Sequence, residues 1–110
     1  MGYTNYWKQK KSFNDSEWND IKDEYDYIKD VCESIIIDES KKDDEIIFNG
    51  IGKMEHETFI LSKNARTVAY YEGEDLSFNF CKTAHKPYDI AVWHLLTFCQ
   101  KYGLKISRDR

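Results

Sequence analysis

This chain has little proline, glycine or cysteine, and each shortage narrows the classes of protein to which it can belong. The three cysteines, Cys32, Cys81 and Cys99, are odd in number and widely spaced, which is a poor framework for disulfides and fits a reducing cytosol. No Cys-x-x-Cys or His-Glu-x-x-His spacing occurs, so we expect neither a metal site nor a cofactor. No glycine-rich phosphate cradle of the dinucleotide or nucleoside-triphosphate type occurs either.

Long apolar runs and long basic stripes are also missing. No apolar stretch approaches the roughly 18 residues that a membrane span needs, and no basic N-terminus precedes an apolar run as in a secretory signal. We therefore expect a cytoplasmic protein without a membrane partner. The net charge is −4 at pH 7. An acidic chain argues against general binding of duplex DNA, but a local basic pocket for one small anion is compatible with it.

Aromatic residues, in contrast, are abundant. Eight Tyr, six Phe and three Trp among 110 residues favour a folded core over disorder. The length suits one domain, residues 1–110, because compact domains most often have about 100–150 residues. Tyr and Trp side chains can also line a ligand pocket.

Hydrophobic periodicity predicts two helices. The first, over about 14–33, has apolar residues every three or four positions, and Asn14 with Glu17 forms a capping box at its start. The second, over about 87–102, begins at Pro87 and is apolar around most of its circumference, so we expect it to be the central buried helix. Gly103 is a suitable helix stop.

Short alternating segments predict strands around the helices. An N-terminal aromatic segment precedes the first helix, and further strands are predicted at 45–49, 57–62, 67–71, 76–82 and, as an edge strand, 104–108. The charged residues 38–45 are predicted to be a flexible loop. The predicted fold is α+β, a small and mostly antiparallel sheet of four to five strands packed on two helices, with a meander favoured by the short connections.

The loop before the second helix is the strongest candidate site. Lys82, Thr83, His85 and Lys86 place charge and hydrogen-bond donors beside a helix start, which favours anions. Asp89 in the first turn can satisfy the same helix dipole, so a merely solvated basic loop is the alternative.

Other side chains could complete a ligand site. Tyr3, Tyr6, Trp7 and Tyr88 have the chemistry to stack on a base or ring, and Asn49 and His56 could make secondary polar contacts. For the N-terminal aromatic residues, the alternative is that they only anchor a strand in the sheet. For His56, the alternative is an ordinary surface histidine. No complete set of nucleophile, base and orienting group can be assembled, so we assign no catalytic residue and favour binding over turnover.

Four motifs resemble those of a family of small proteins encoded by bacteriophages and prophages. They are the opening GYTNYW, FNG at 48–50, HETF at 56–59 and FCKTAHKPYD at 80–89, in that order along nearly the whole chain. The family favours His at the position of Asn5 and Arg at the position of His85. It also often has a Ser-Ser-Asp-Gly-like sequence where this chain has Ser-Arg-Asp at 107–109.

The resemblance implies a phage accessory protein that acts in the cytoplasm of the bacterial host. Small phage proteins of this kind often neutralise host defence, sometimes by sequestering a nucleotide signal. We therefore expect a binding protein for a phosphorylated or nucleotide-like small molecule. The alternatives are a protein–protein inhibitor of a host enzyme and a nucleotide phosphodiesterase with His56 or His85 as its base. An exposed sheet edge could also support a homo-oligomer.

Overall fold

The computed structural model of the protein describes residues 3–69 and 71–109. Within these residues the chain forms two α-helices and six β-strands, in the order β1 (Thr4–Lys8), α1 (Asp15–Val31), β2 (Ile36–Asp38), β3 (Glu45–Gly50), β4 (Phe59–Ser62), β5 (Phe78–Lys82), α2 (Asp89–Cys99) and β6 (Lys105–Asp109). The predicted α+β class is confirmed. Neither helix is long and apolar enough to cross a membrane, as judged on the described residues.

The strands form two three-stranded antiparallel sheets, whereas the sequence predicted one sheet of four to five strands. One sheet is the meander β2-β3-β4, and the other has the order β5-β1-β6. In the second sheet β1 is central, with Thr4 opposite both Lys82 and Asp109. The N-terminal strand thus joins the two segments that flank α2, which gives this sheet a non-sequential order.

The prediction of a strand at 67–71 is wrong for the residues of this segment that the structure describes. Residues 67–69 lie in no strand, and Val68 is 67% exposed. β-propensity alone does not form a strand, because a strand needs a neighbour to pair with and a face to bury. The segment β2, by contrast, was not predicted, because its three residues border the charged connector.

Helix α1 follows its sequence signals closely. Asn14 and Glu17 form the predicted capping box, with the Asn14 side chain accepting from the Glu17 N–H at 2.8 Å and the Glu17 side chain accepting from the Asn14 N–H at 2.9 Å. The apolar stripe is buried, as its residues Trp18, Ile21, Tyr25 and Ile28 show. Burial of this stripe holds α1 against the rest of the core.

Helix α2 is buried at the centre, as predicted. Its residues Ala91, Val92, Leu95, Leu96 and Cys99 are at most 1% exposed. The chain then makes one 3₁₀ turn and leaves it through Gly103, whose φ of +96° lies in the left-handed region that favours glycine. The first turn of α2 faces the β5-β1-β6 sheet, and this junction is where the candidate site lies.

We expect Asn14→Ala to lower the free energy of unfolding by about 1 kcal/mol, because it removes the side-chain acceptor of the capping box. Urea denaturation followed by circular dichroism measures the change. Asn14→Asp is the matched control, since its carboxylate retains the acceptor and should keep most of the stability. Equal losses in the two variants would contradict the capping role.

Candidate functional site

A pocket of about 980 Å³ lies between the start of α2 and the β5-β1-β6 sheet. Most of its described lining residues are aromatic, apolar or basic, and Asp89 and Thr97 are the acidic and neutral polar members: Tyr3, His85, Lys86, Pro87, Asp89, Ile90, Trp93, His94, Thr97, Phe98 and Arg108. The predicted loop therefore borders a cavity of the size that small-molecule ligands use.

The loop that follows β5 bends sharply into this pocket. Ala84 and His85 both have positive φ, +52° and +58°, a conformation that is uncommon for residues other than glycine. The turn is closed by the Lys86 N–H, which donates to the Thr83 carbonyl at 2.9 Å. Strained backbone of this kind persists where surrounding structure fixes it, and it is frequent at ligand sites.

Tyr3 forms the neighbouring wall. Its ring stacks on the His85 ring with centroids 4.1 Å apart and planes at 15°. Its carbonyl accepts from the Thr83 N–H at 2.8 Å, so the strand and the loop are also joined through the backbone. The structure thus brings one N-terminal aromatic residue against the 82–88 loop.

A buried polar cluster supports this wall from below. Asp89 accepts on Oδ1 from Asn5 Nδ2 and from the Thr83 hydroxyl, both at 2.7 Å, and on Oδ2 from the Arg108 guanidinium. Arg108 Nε also donates to Asn5 Oδ1 at 3.0 Å. We call Asn5, Thr83, Asp89 and Arg108 the Asp89 cluster. Asn5, Thr83 and Asp89 are at most 8% exposed, and the Arg108 side chain is 15% exposed.

The Asp89 cluster changes the roles predicted for its members. The Thr83 hydroxyl is fully buried and donates to Asp89, so it belongs to the scaffold below the pocket. At the start of α2, the N–H groups of Asp89 and Ile90 donate to the carbonyls of Lys86 and Pro87. Positive charge toward a ligand therefore comes from the side chains of Lys86 and Arg108 more than from the helix start.

Sequence reasoning missed Arg108 and Trp93. The Arg108 guanidinium carbon lies 4.4 Å from the centroid of the Trp93 ring, within cation–π range. Trp93 was assigned to the helix core, and Arg108 to an edge strand. The hydrophobic patterns of the helix and of the strand do not predict this contact, because it depends on the strand with which β6 pairs.

Lys82, Tyr6, Trp7 and Tyr88 are not among the described residues that line the pocket. Lys82 and Tyr6 lie on the opposite face of the sheet, next to Phe80 and Phe78 respectively. Trp7 is 3% exposed in the core. Tyr88 is fully buried, and its hydroxyl donates to the Glu57 carbonyl at 2.7 Å.

Asn49 and His56 lie together at another loop. The Asn49 amide donates to the His56 carbonyl at 3.0 Å and accepts from the His56 N–H, also at 3.0 Å. A Cβ atom on Gly50 would come within 2.1 Å of the Met54 carbonyl oxygen, so glycine is required for this tight return. These contacts give the FNG and HETF motifs a structural role in connecting β3 to β4.

The cysteines have the chemistry of core residues. Burial, reinforced by the Glu57 carboxylate, raises the pKa of Cys81 to about 12, and burial raises the pKa of Cys99 to about 12. At neutral pH both are thiols, which are poor nucleophiles and poor metal ligands. No group of three or more potential metal ligands occurs in the described ranges 3–69 and 71–109.

One histidine on the pocket wall has an acidic partner. His94 Nε2 lies 2.5 Å from Glu24 Oε2, which connects α2 to α1. The other candidate bases lack such an arrangement, since His85 stacks on Tyr3 and His56 lies at the β3–β4 connection.

Comparison with protein-family models, curated proteins and solved structures finds no match to this chain.

We expect Asp89→Ala to lower the free energy of unfolding by about 3–5 kcal/mol, because it leaves the nearly buried Arg108 guanidinium without its partner. Urea denaturation measures the loss. Asp89→Asn, which retains an acceptor oxygen, should lower the free energy of unfolding by a smaller amount. Asp26→Ala, which removes an exposed ion pair with Lys29, should cost less than about 1 kcal/mol. A loss of that small size for Asp89→Ala would contradict the role of the cluster.

We expect Cys81 and Cys99 to react with Ellman's reagent at pH 8 at least about 100-fold more slowly in the folded protein than in guanidinium chloride, because burial suppresses the thiolate. The same raised pKa values make stability fall as the pH rises from about 9 toward 12, since only the unfolded chain releases those protons there. Fast labelling of the native protein would contradict the assigned burial.

Proposed function

We propose that the protein binds a phosphorylated or nucleotide-like small molecule in the pocket beside α2, without converting it. The observation that carries the proposal is the convergence of the Tyr3–His85 stack, Trp93 and two cationic side chains on one cavity of about 980 Å³. Ligand pockets of this kind combine apolar walls with a few fixed polar groups.

The aromatic walls would recognise a base or another flat ring. Tyr3 and His85 already stack on each other, and Trp93 is held by Arg108 on one face. Rings that are fixed before binding lose little conformational entropy when a ligand arrives. This rigidity supports stacking as the main source of affinity.

The cationic side chains would recognise the phosphate. Lys86 is half-buried on the pocket wall, and its ammonium donates a long hydrogen bond of 3.5 Å to the Lys53 carbonyl. Arg108 shares its charge with Asp89, so we assign Lys86 the leading role and Arg108 a supporting one. Hydrogen bonds to charged groups contribute about 1.5–3 kcal/mol each.

The resemblance to phage-encoded proteins supports a biological setting for this activity. We propose that the protein acts in the host cytoplasm and sequesters a nucleotide signal of host immunity. Binding without conversion suits such a role, because a sequestered signal is withdrawn from its receptor while it stays bound.

We expect ADP-ribose or a cyclic dinucleotide to raise the melting temperature and to quench tryptophan fluorescence, since Trp93 lines the pocket whereas Trp7 and Trp18 are buried. Lys86→Ala should weaken binding by at least about tenfold, from the lost charge-assisted bond. Isothermal titration calorimetry measures the affinity.

Lys82→Ala is the matched control, because it removes a lysine four residues away that lies on the opposite face of the sheet. It should bind as the unmodified protein does. Equal weakening by the two substitutions, or no binding across the ligand panel, would overturn the proposal.

A hydrolase is the second candidate, and the His94–Glu24 contact of 2.5 Å is the observation that favours it. A histidine oriented by a carboxylate can act as a general base. Chromatography of each nucleotide after incubation separates the candidates: intact ligand supports sequestration, and product that is lost in His94→Gln supports hydrolysis.

A further inference from the structure

The β5-β1-β6 sheet has a second face that the pocket does not use. On this outer face Tyr6, Phe78 and Phe80 form an aromatic cluster, with ring centroids 5.7 Å apart for Tyr6–Phe78 and 6.1 Å apart for Phe78–Phe80. Phe78 is 39% exposed and Phe80 is 50% exposed. The chain also exposes other large apolar side chains, such as Ile37, Val68 and Ile90. Tyr6, Phe78 and Phe80 differ in that their rings are neighbours on one sheet face, and contiguous apolar patches of this kind mark interaction sites.

Lysines flank the cluster at both ends. Lys82 lies at one end, with its ammonium 5.9 Å from the Phe80 ring centroid. At the other end Lys8 and Lys105 are directly opposite each other on adjacent strands, and both border a groove with Tyr6 and Phe78. Like charges in opposite positions repel, and a bound anion would relieve that repulsion.

Asp75, Asp109 and Glu57 bring carboxylates near this face, and Glu57 accepts from the Lys82 backbone N–H at 2.8 Å. Asp75 lies 3.8 Å from Lys8, in a pair whose side chains are both about half exposed. Asp109 lies on β6 at the edge of the sheet. It is in register with Lys82, because both residues lie opposite Thr4 of β1. Exposed pairs of this kind contribute at most about 1 kcal/mol, so a phosphate can compete for the lysines.

We propose that this outer face binds single-stranded nucleic acid. Every base has a flat π-face that can stack on an aromatic ring. Lysines beside the rings can form ion pairs with the phosphates of the backbone. A duplex does not fit this arrangement, because its base faces are stacked inside the helix. An apolar protein surface would add no negative charge for the three lysines, of which Lys8 already lies 3.8 Å from the Asp75 carboxylate.

The outer face and the pocket are independent sites. Alternation along β1 places Tyr6 and Lys8 on one face and Asn5 on the other, and Tyr3, which precedes β1, lines the pocket. Substitutions on the outer face therefore leave the Asp89 cluster and the pocket lining in place, and the two activities can be tested separately.

The experiment is a fluorescence-anisotropy titration of labelled oligothymidylate and oligouridylate of about 12 nucleotides, a length within the range of single-strand binding sites. Binding should weaken about 10- to 20-fold between 50 and 200 mM salt if three phosphates are contacted. Phe80→Ala should weaken it by about 5- to 150-fold through the loss of one stacked base. The two oligonucleotides distinguish a preference for DNA from a preference for RNA.

Two controls separate stacking from general apolar contact. Ile37→Ala, an exposed apolar residue of β2 in the other sheet, should leave the affinity unchanged. Phe80→Leu keeps an apolar side chain without a π-face and should bind as weakly as Phe80→Ala. Lys8→Gln and Lys105→Gln should each lower the salt dependence by about one phosphate contact.

Several results would overturn the proposal. The first is no anisotropy change at about 100 µM protein in low salt, a concentration at the weak end of non-specific affinities. The second is equal affinity for a duplex of the same length, and the third is full affinity in both Phe80 variants. Sedimentation that shows a dimer lost on Phe80→Ala, together with no oligonucleotide binding, would assign the face to a second copy of the chain.

Discussion

The carboxylate of Asp89 is the contact on which the rest of this site depends. It accepts hydrogen bonds from β1 through Asn5, from the loop through Thr83 and from β6 through Arg108, while its own backbone begins α2. A carboxylate this well buried is stable only when such partners surround it. In the described part of the chain, no buried side-chain nitrogen or oxygen lacks a hydrogen-bond partner. Three parts of the chain that are far apart in sequence, β1, the loop that leads into α2, and β6, are thereby held in one arrangement, and the left-handed turn at His85 lies within that loop.

Local features could be predicted from the sequence, because they depend on neighbouring residues. The capping box at Asn14, the apolar stripe of α1 and the burial of α2 all follow from short spacings. The sheet pairing could not be predicted in this way. Nothing near β1 indicates that it lies between β5 and β6, and the segment at 67–69 has strand-forming residues but no partner. The Asp89–Arg108 pair was missed for the same reason, since it exists only after β6 has paired with β1.

Side chains alternate between the two faces of a strand. Residues that the sequence suggested were one site therefore lie on different faces of the sheet. Tyr3 and Tyr6 have similar chemistry, but Tyr3, just before β1, lines the pocket, whereas Tyr6 in β1 lies beside Phe78 on the other face of the sheet. Lys82 and Lys86 both looked like phosphate ligands of one loop. The first lies on the outer face of the sheet and the second on the pocket wall, because the chain turns through Ala84 and His85 between them. A basic loop is thus shared between two surfaces.

The way the pocket floor is built constrains how the pocket can recognise a ligand. The polar groups of Asn5, Thr83 and Asp89 are satisfied by one another, so a ligand that approached them would have to replace strong existing bonds. Hydrogen-bond discrimination by the floor is therefore costly. Under the proposed function, selectivity would rest on the walls, where the Tyr3–His85 stack offers a ring surface and Lys86 offers a positive charge. Such a site would distinguish ligands by the distance between a flat ring and a phosphate more than by the polar edge of the ring.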